Sequence, residues 1–280
     1  IIHIGSVMKC PHCKNEIPAD SKFCPDCGKP INGTSDASTS DSESGADTLE
    51  FTVGDVSFKM IRVEHGEFMM GATDEQENPS DDEKPAHRVT LTDDYYIGET
   101  QVTQALWEAV MGNNPSYFKY DNLPVENVSW DDCHEFTEKL NRMTGKRFRL
   151  PTEAEWEFAA RGGNKSNHTQ YSGSNELNDV AWHGNKNGAT TYPIRTKKPN
   201  ELGIYDMSGN VWEWCQDWYG EYNESSQPNP AGPSNGFKRI DRGGSCFSID
   251  WHCRLSFRRN CSPAYRSNEQ GVRIVLSKNN

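Results

Sequence analysis

Two C-x2-C pairs stand near the head of the chain, Cys10 and Cys13 in "CPHC" and Cys24 and Cys27 in "CPDC", with ten residues between them. Each C-x2-C closes into a tight knuckle, and two knuckles place four thiolates at the corners of a tetrahedron, which suits Zn2+. Residues 8–30 cannot bury enough apolar surface to fold unaided. The metal would supply the difference, about 10–16 kcal/mol for a structural zinc. Four sulfurs close the coordination shell, so such a site braces and does not catalyse. Two disulfides would need an oxidising compartment, and a redox C-x2-C a thioredoxin-like βαβ setting; neither is visible. Residues 31–50, "INGTSDASTSDSESGADTLE", are Ser, Thr, Asp and Gly with almost nothing apolar. That composition cannot offset the entropy of ordering, so the chain reads as two folding units joined by a flexible acidic linker.

Met8 is a natural initiator, with residues 1–7 non-native or an upstream leader that lacks the charged start and apolar run of an export signal; the expected compartment is cytoplasmic. No 18-residue apolar run predicts a membrane span. A net charge of −12 argues against a partner recognised through phosphates, nucleic acid or an anionic membrane surface alike. Nine cysteines, an odd count, speak against a pure disulfide framework.

From Phe51 to the end the texture is globular. "FTVGDVSFKMIRV" predicts two short strands about a Gly54-Asp55 turn, and "HRVTLTDDYYIG" a strand with Val89 and Leu91 inward. "TQALWEAVMG" predicts a helix stopped by Gly112. In "SWDDCHEFTEKLNRMTG" Ser129 and Asp132 form a capping box, Cys133, Phe136, Thr137 and Leu140 share a stripe, and Gly145 ends the helix. "PTEAEWEFAARGG" repeats that logic with Thr152, Glu155 and Gly162. Cys133 reads as a small buried hydrophobe. Beyond Gly163 the chain is loop-rich, with tryptophans between its Gly, Asn and Pro residues. No internal repeat and no G-x-G-x-x-G, G-x4-G-K-[ST], G-x-S-x-G or H-E-x-x-H occurs, so common nucleotide and hydrolase chemistries are unsupported.

The head segment resembles the zinc ribbons of many bacterial proteins. "GEFMMG", "IGETQVTQALWEAVMG", "LPVENVSWDDC", "RLPTEAEWEFAARGG", "NELGIYDMSGNVWEWCQDWY", "RGGS" and "GVRI" occur in that order, and together resemble the formylglycine-generating enzyme, or sulfatase-modifying factor, family over residues 51–277. The resemblance implies an α+β, C-type-lectin-like fold, with small twisted antiparallel sheets, a few helices and long irregular connections. It also implies a structural calcium site, with Asp206 and Glu213 binding through carboxylates and Gly209 and Val211 through carbonyls. Ca2+ is a hard cation that takes six to eight oxygens; the alternative is that Asp206 and Glu213 simply brace the loop. Trp212, Trp214 and Trp218 read as core packing.

The family's enzymes convert a cysteine to formylglycine with O2 and Cu(I) held by two thiolates, three and eight residues after the Gly-Gly-Ser serine. Those positions are Ser248 and Cys253 here. Cu(I) prefers sulfur, and a serine hydroxyl stays protonated at neutral pH. Cys246 shares a face with residue 248 if the segment is extended, but two residues of strand displace its sulfur by roughly 6.6 Å. Cys253 reads more simply as a buried thiol. The same stretch resembles the C-terminal variable segment of diversity-generating retroelement target proteins, in which Phe247, Ser248, Ile249, Asp250, Trp251, His252, Phe257 and Tyr265 fall at binding-face positions. Aromatic anchors among adaptable polar neighbours are what such a face needs. His252 beside Cys253 suggests a nucleophile pair, but neighbours in a strand point apart. Most of arginines 254, 258, 259, 266 and 273 are expected to brace the interior. The reading is a binding module for an unidentified protein or small ligand, with a copper-dependent formylglycine-generating oxidase using Cys253 and Cys246 as the alternative.

Overall fold

The computed structural model describes residues 7–9, 14–18, 47–184 and 190–277. It divides into two units, residues 1–45 and 46–280. In the first, Val7–Lys9 pairs antiparallel with Glu16–Pro18, so the paired backbone reaches one residue ahead of Met8. The four expected zinc ligands, Cys10, Cys13, Cys24 and Cys27, lie outside the described residues.

The second unit begins earlier than the sequence reading placed it. Thr48–Val53 is already a strand, paired from Thr48 opposite Ile61 to Val53 opposite Val56 around the Gly54 turn. Leu49 packs on the core beside Phe51, so the polar stretch ends where the first apolar side chain finds a partner. That hairpin supplies two strands of a five-stranded antiparallel sheet ordered Thr48–Val53, Val56–Val63, Tyr95–Gly98, Val275–Ser277, Phe148–Arg149. The strand Val275–Ser277 thus lies between two segments from much earlier in the chain. "HRVTLTDDYYIG" does not form one strand. His87–Leu91 joins a three-stranded sheet with Gly66–Met70 and Gln227–Pro228, whereas Tyr95–Gly98 joins the five-stranded one. Between them Asp94 turns inward to the Arg62 guanidinium, with Nη2 at 2.8 Å.

Three helices form where their caps predict. Helix α1, Gln104–Met111, starts at Thr103, whose side chain accepts the Leu106 N–H, and ends at Gly112. Helix α2, Trp130–Thr144, has the Ser129–Asp132 capping box and ends at Gly145, with Cys133, Phe136, Thr137 and Leu140 buried. Helix α3, Glu153–Ala160, has the Thr152–Glu155 box. Glycines 112 and 145 both adopt the left-handed conformation that halts a helix. Cys133 is fully buried.

The C-terminal half builds a four-stranded sheet ordered Arg259–Cys261, Arg239–Arg242, Trp212–Trp218, Gln270–Gly271. Trp212 and Trp214 are buried as expected, while Trp218 is partly exposed. The arginines brace this loop-rich half from inside. Arg242, Arg254 and Arg273 are fully buried, and each meets a carboxylate: Glu153 and Glu157, Glu83, and Glu213 respectively. A buried arginine forks onto two oxygens and leaves donors for carbonyls, so it ties irregular backbone without a sheet ladder.

Candidate functional site

The stretch after Arg242 is not extended. Gly243 and Gly244 take left-handed conformations, the chain turns at residues 246–248, and Asp250–Cys253 is a short 3-10 helix. Gly244 permits this, because a Cβ there would fall 2.7 Å from Cys253 Sγ and 3.0 Å from His252 O. The strand geometry expected for Cys246, Ser248, His252 and Cys253 is therefore replaced by a coil that sorts its side chains differently. Cys253 points into a cluster with Tyr171, Leu177, Val180 and Ala181, whereas His252 packs against rings. The two do not form a nucleophile pair.

Ser248 is turned inward, only 5% exposed. Its Oγ accepts the Ser245 N–H at 2.9 Å and lies 3.1 Å from Ser245 Oγ. Ser245 donates its own proton to Glu269 Oε2 at 2.6 Å, so the proton between the two serines comes from Ser248. The hydroxyl at the family's first copper position is thus part of a hydrogen-bonded turn. Burial pushes the Cys253 thiol up, with Asp250 and Cys246 adding to it. Burial and then Glu269 push Cys246 up to about 12. A soft cation needs thiolates, and one thiol faces a closed apolar cluster while a hydroxyl occupies the other position. The donor set does not fit the two-thiolate copper centre.

Around this turn the structure gathers aromatic rings. Buried Trp212 lies 5.9 Å from His252 and 6.0 Å from Phe257. Trp251 stacks on His252 at 5.1 Å, and His252 lies 4.6 Å from Phe257. The Arg259 guanidinium covers Trp212 at 4.0 Å, while its Nε donates to Asp241 at 2.8 Å. Burial, then Arg259, lowers the His252 pKa, which favours a neutral ring near pH 7. Trp251 (45% exposed), Ile249 and Asp250 reach solvent, and Phe247 and Phe257 are half-buried. No ring contact ties Tyr265 to this cluster among the described residues, although it is exposed.

Sequence reasoning missed the loop "SYFKY". Phe118 stacks on Phe247 at 6.4 Å and Tyr117 sits edge-on to Phe118 at 5.0 Å. Tyr117 and Tyr120 are exposed. Buried Glu126 accepts the Phe118 N–H at 2.8 Å and fixes the loop. Three aromatic residues within four positions of a polar loop were the available signal; nothing local said which face they would join.

The expected calcium ligands do converge. The carbonyls of Asp206, Gly209 and Val211 and the Glu213 Oε1 all surround the Gln101 amide nitrogen at 2.9–3.3 Å. An NH2 group has two protons for these four acceptors. Gln101 Oε1 and Asp206 Oδ1 are buried without partners. A focus of hard oxygens, with an unpartnered buried oxygen on Gln101 and another on Asp206, fits a hard cation. Two details differ from the sequence reading. Asp206 offers its carbonyl, its Oδ2 being held by the Arg195 N–H at 3.0 Å. Glu213 is forked by Arg273 at 2.8 and 2.9 Å and also accepts the Trp156 indole N–H at 2.7 Å.

A sulfatase-modifying factor enzyme 1-like domain model matches residues 52–278. The chain belongs to this family. Its fold is the C-type-lectin-like fold of the formylglycine-generating enzymes, α+β and rich in loops. A double zinc ribbon model matches residues 10–45, a span holding four cysteines, enough for one tetrahedral site. "Chaperone protein LppX" of Paenibacillus barcinonensis is 36% identical, over 68% of this chain and 82% of that protein. The formylglycine-generating enzyme of Streptomyces coelicolor is 31% identical, over 77% and 88%. Among solved structures, Treponema denticola variable protein 1 aligns with a TM-score of 0.73 and 34% identity, covering 83% of this chain and all of that one. No helix among the described residues is long and apolar enough to cross a membrane.

Proposed function

We propose that this sulfatase-modifying-factor-like domain is a binding module, and that its ligand, a protein or a small molecule, docks on the aromatic face formed by Phe247, Ile249, Asp250, Trp251, His252 and Phe257 with Tyr117 and Phe118. The observation that carries this is the ring cluster on Trp212. A buried indole, pinned by Arg259, holds outward-facing aromatics that have little freedom left to lose on binding, and preorganisation of that kind lowers the cost of association. Ser248 fits this role as a turn-former behind the face. The similarity to a Treponema denticola variable protein supports a diversified surface of the retroelement-target type. Sequencing the gene across many cells of one culture tests that reading: variation confined to codons of the face supports it, and an invariant segment sinks it.

The alternative is a copper-dependent oxidase acting on sulfatase cysteines, favoured by similarity to formylglycine-generating enzymes. It requires Cys246 to stand in for a thiolate at Ser248, and the turn geometry gives no support for that. The deciding experiment loads the full chain anaerobically with Cu(I) and follows O2 uptake with a cysteine-containing sulfatase peptide. The binding reading predicts no turnover and no copper beyond what the N-terminal cysteines take up, whereas turnover together with a copper that is lost in Cys253→Ser overturns it.

Two metals complete the proposal. The N-terminal cysteines bind one structural Zn2+, supported by the ribbon match. The oxygens of Asp206, Gly209, Val211 and Glu213, with Gln101, hold a structural Ca2+ that would cross-link the loop to the strand.

A further inference from the structure

A cavity of about 250 Å3 opens beside the C-terminal end of the Trp212–Trp218 strand, and none of the rings of the aromatic face lines it. Met70, His87, Asp217, Trp218, Tyr222 and Arg258 are among its walls. Asp217 is 4% exposed. Its Oδ2 accepts the N–H of Glu153 at the start of α3, 2.9 Å away. Its Oδ1 has no donor, and no basic side chain stands within ion-pair distance, among the described residues. Glu153, on the same wall, differs in having two arginines, with Arg242 Nη1 at 2.9 Å and Arg258 Nε at 2.7 Å.

Trp218, Asn223 and Gln227 add indole and amide N–H groups to the wall, but its ionisable side chains and Tyr222 leave mainly acceptors free. Arg258 is committed: Nε and Nη2 hold both Glu153 oxygens, and Nη1 donates to the carbonyls of Asp82 and Gly220, each at 3.0 Å. It has little left for an anion. His87 Nδ1 lies 3.2 Å from the Pro85 carbonyl, which can only accept, so Nδ1 carries the proton and Nε2 of the neutral ring is an acceptor. The Tyr222 hydroxyl donates to Glu153 Oε1 at 3.2 Å, which leaves its oxygen accepting. Once Asp217 is ionised, its Oδ1, His87 Nε2 and Tyr222 Oη therefore present three acceptors and an unpaired carboxylate. An ammonium group has three donors and a positive charge. The cavity volume falls below the roughly 300–1,000 Å3 of drug-sized sites, and the acidic chain attracts cations at long range.

We propose that this cavity binds the protonated amino group of a small primary alkylamine, paired with the Asp217 carboxylate. The assignment is independent of the aromatic face and of either metal. Burial, and then the Glu153 charge, push Asp217 up to about 8, so near pH 7 it holds a proton that the ammonium must displace. Amine binding then releases a proton and tightens by about tenfold per pH unit below pH 8, levelling above it. An alkylamine keeps its own charge across this range, its pKa being near that of lysine, about 10.4.

The test is calorimetry of n-butylamine with the full chain at pH 6, 7 and 8.5, in two buffers of different ionisation enthalpy, with n-butanol as the uncharged analogue. The expected result is one amine per chain, a buffer-dependent heat at pH 7 equal to about one released proton, and butanol binding about tenfold weaker or worse. Asp217→Asn keeps an acceptor for the Glu153 N–H and should lose amine affinity by about tenfold or more. No amine binding at pH 8.5, equal binding of butanol, or an affinity flat across pH overturns the proposal. If Asp217→Asn fails to fold, the pH and butanol comparisons on the unaltered chain decide it.

Discussion

Arg254 and Glu83, separated by 171 residues, form a bidentate ion pair in which Nη1 and Nη2 each lie 2.7 Å from a carboxylate oxygen, and both side chains are fully buried. Ser256 Oγ donates to the same carboxylate, and these bonds hold Glu83 below the usual carboxylate range despite its burial. The pair fastens the turn behind the aromatic face to the 3-10 segment Asp81–Glu83. Arg254→Met leaves Glu83 charged and alone in the interior, and should cost about 3–5 kcal/mol. The double variant Arg254→Met with Glu83→Gln should recover a large part of that loss. Urea denaturation of the two variants checks the difference; equal losses would mean that the ion pair is not what holds the turn.

The aromatic face separates support from contact. Trp212→Ala removes a buried indole and should destabilise the domain by about 3–5 kcal/mol. Trp251→Ala removes a half-exposed ring and should cost about 1 kcal/mol or less. A ligand selected on the wild-type face should nevertheless lose about 2 kcal/mol of affinity to Trp251→Ala, the scale of an interface anchor. Thermal melts together with surface plasmon resonance of the selected ligand measure both quantities.

Zinc should be present at one ion per chain, measured by elemental analysis of purified protein. Removal of the metal site by Cys10→Ser with Cys24→Ser should unfold the N-terminal unit, because zinc affinity is its folding energy. The thermal transition of residues 46–280 should not move, since that unit has its own core.

Calcium should raise the melting temperature of the domain, and excess chelator should lower it, because a ligand bound only to the folded state stabilises by mass action. Gln101→Ala opens the oxygen cradle and removes the amide that now fills it. Its melting temperature should fall in chelator and respond to Ca2+ less than that of the wild type. A wild type indifferent to calcium would leave Gln101 and Arg273 as the whole of the cross-link.

Asp217 sets a pH dependence of stability. Its folded value, about 8, lies above the ordinary 3.8. Between those values the native state holds a proton that the unfolded chain has lost, so this group's contribution is full below about pH 4 and declines as pH rises through 8. Asp217→Asn removes that slope. The difference in melting temperature between variant and wild type should move in the variant's favour from pH 5 to pH 8.5, as scanning calorimetry would show.

The sequence by itself determined whatever is settled within a turn or two of chain. Thr103, Ser129 and Thr152 marked helix starts, and Gly112 and Gly145 marked ends, because capping bonds span three or four residues. The Gly54 hairpin, the paired cysteines and the hydroxyl at Ser248 were legible for the same reason, and the ordered motifs sufficed for the family. Tertiary structure alone decided which carboxylate each arginine holds, since Glu83 and Arg254 carry no mark of one another. It alone broke "HRVTLTDDYYIG" between two sheets, coiled Asp250–Cys253 where a strand was expected, and brought Tyr117 and Phe118 to Phe247. It also left Asp217 at a cavity wall with no basic group in ion-pair distance among the described residues. Burial and long-range pairing fix these features, and both are properties of the whole packed domain that no short window of sequence contains.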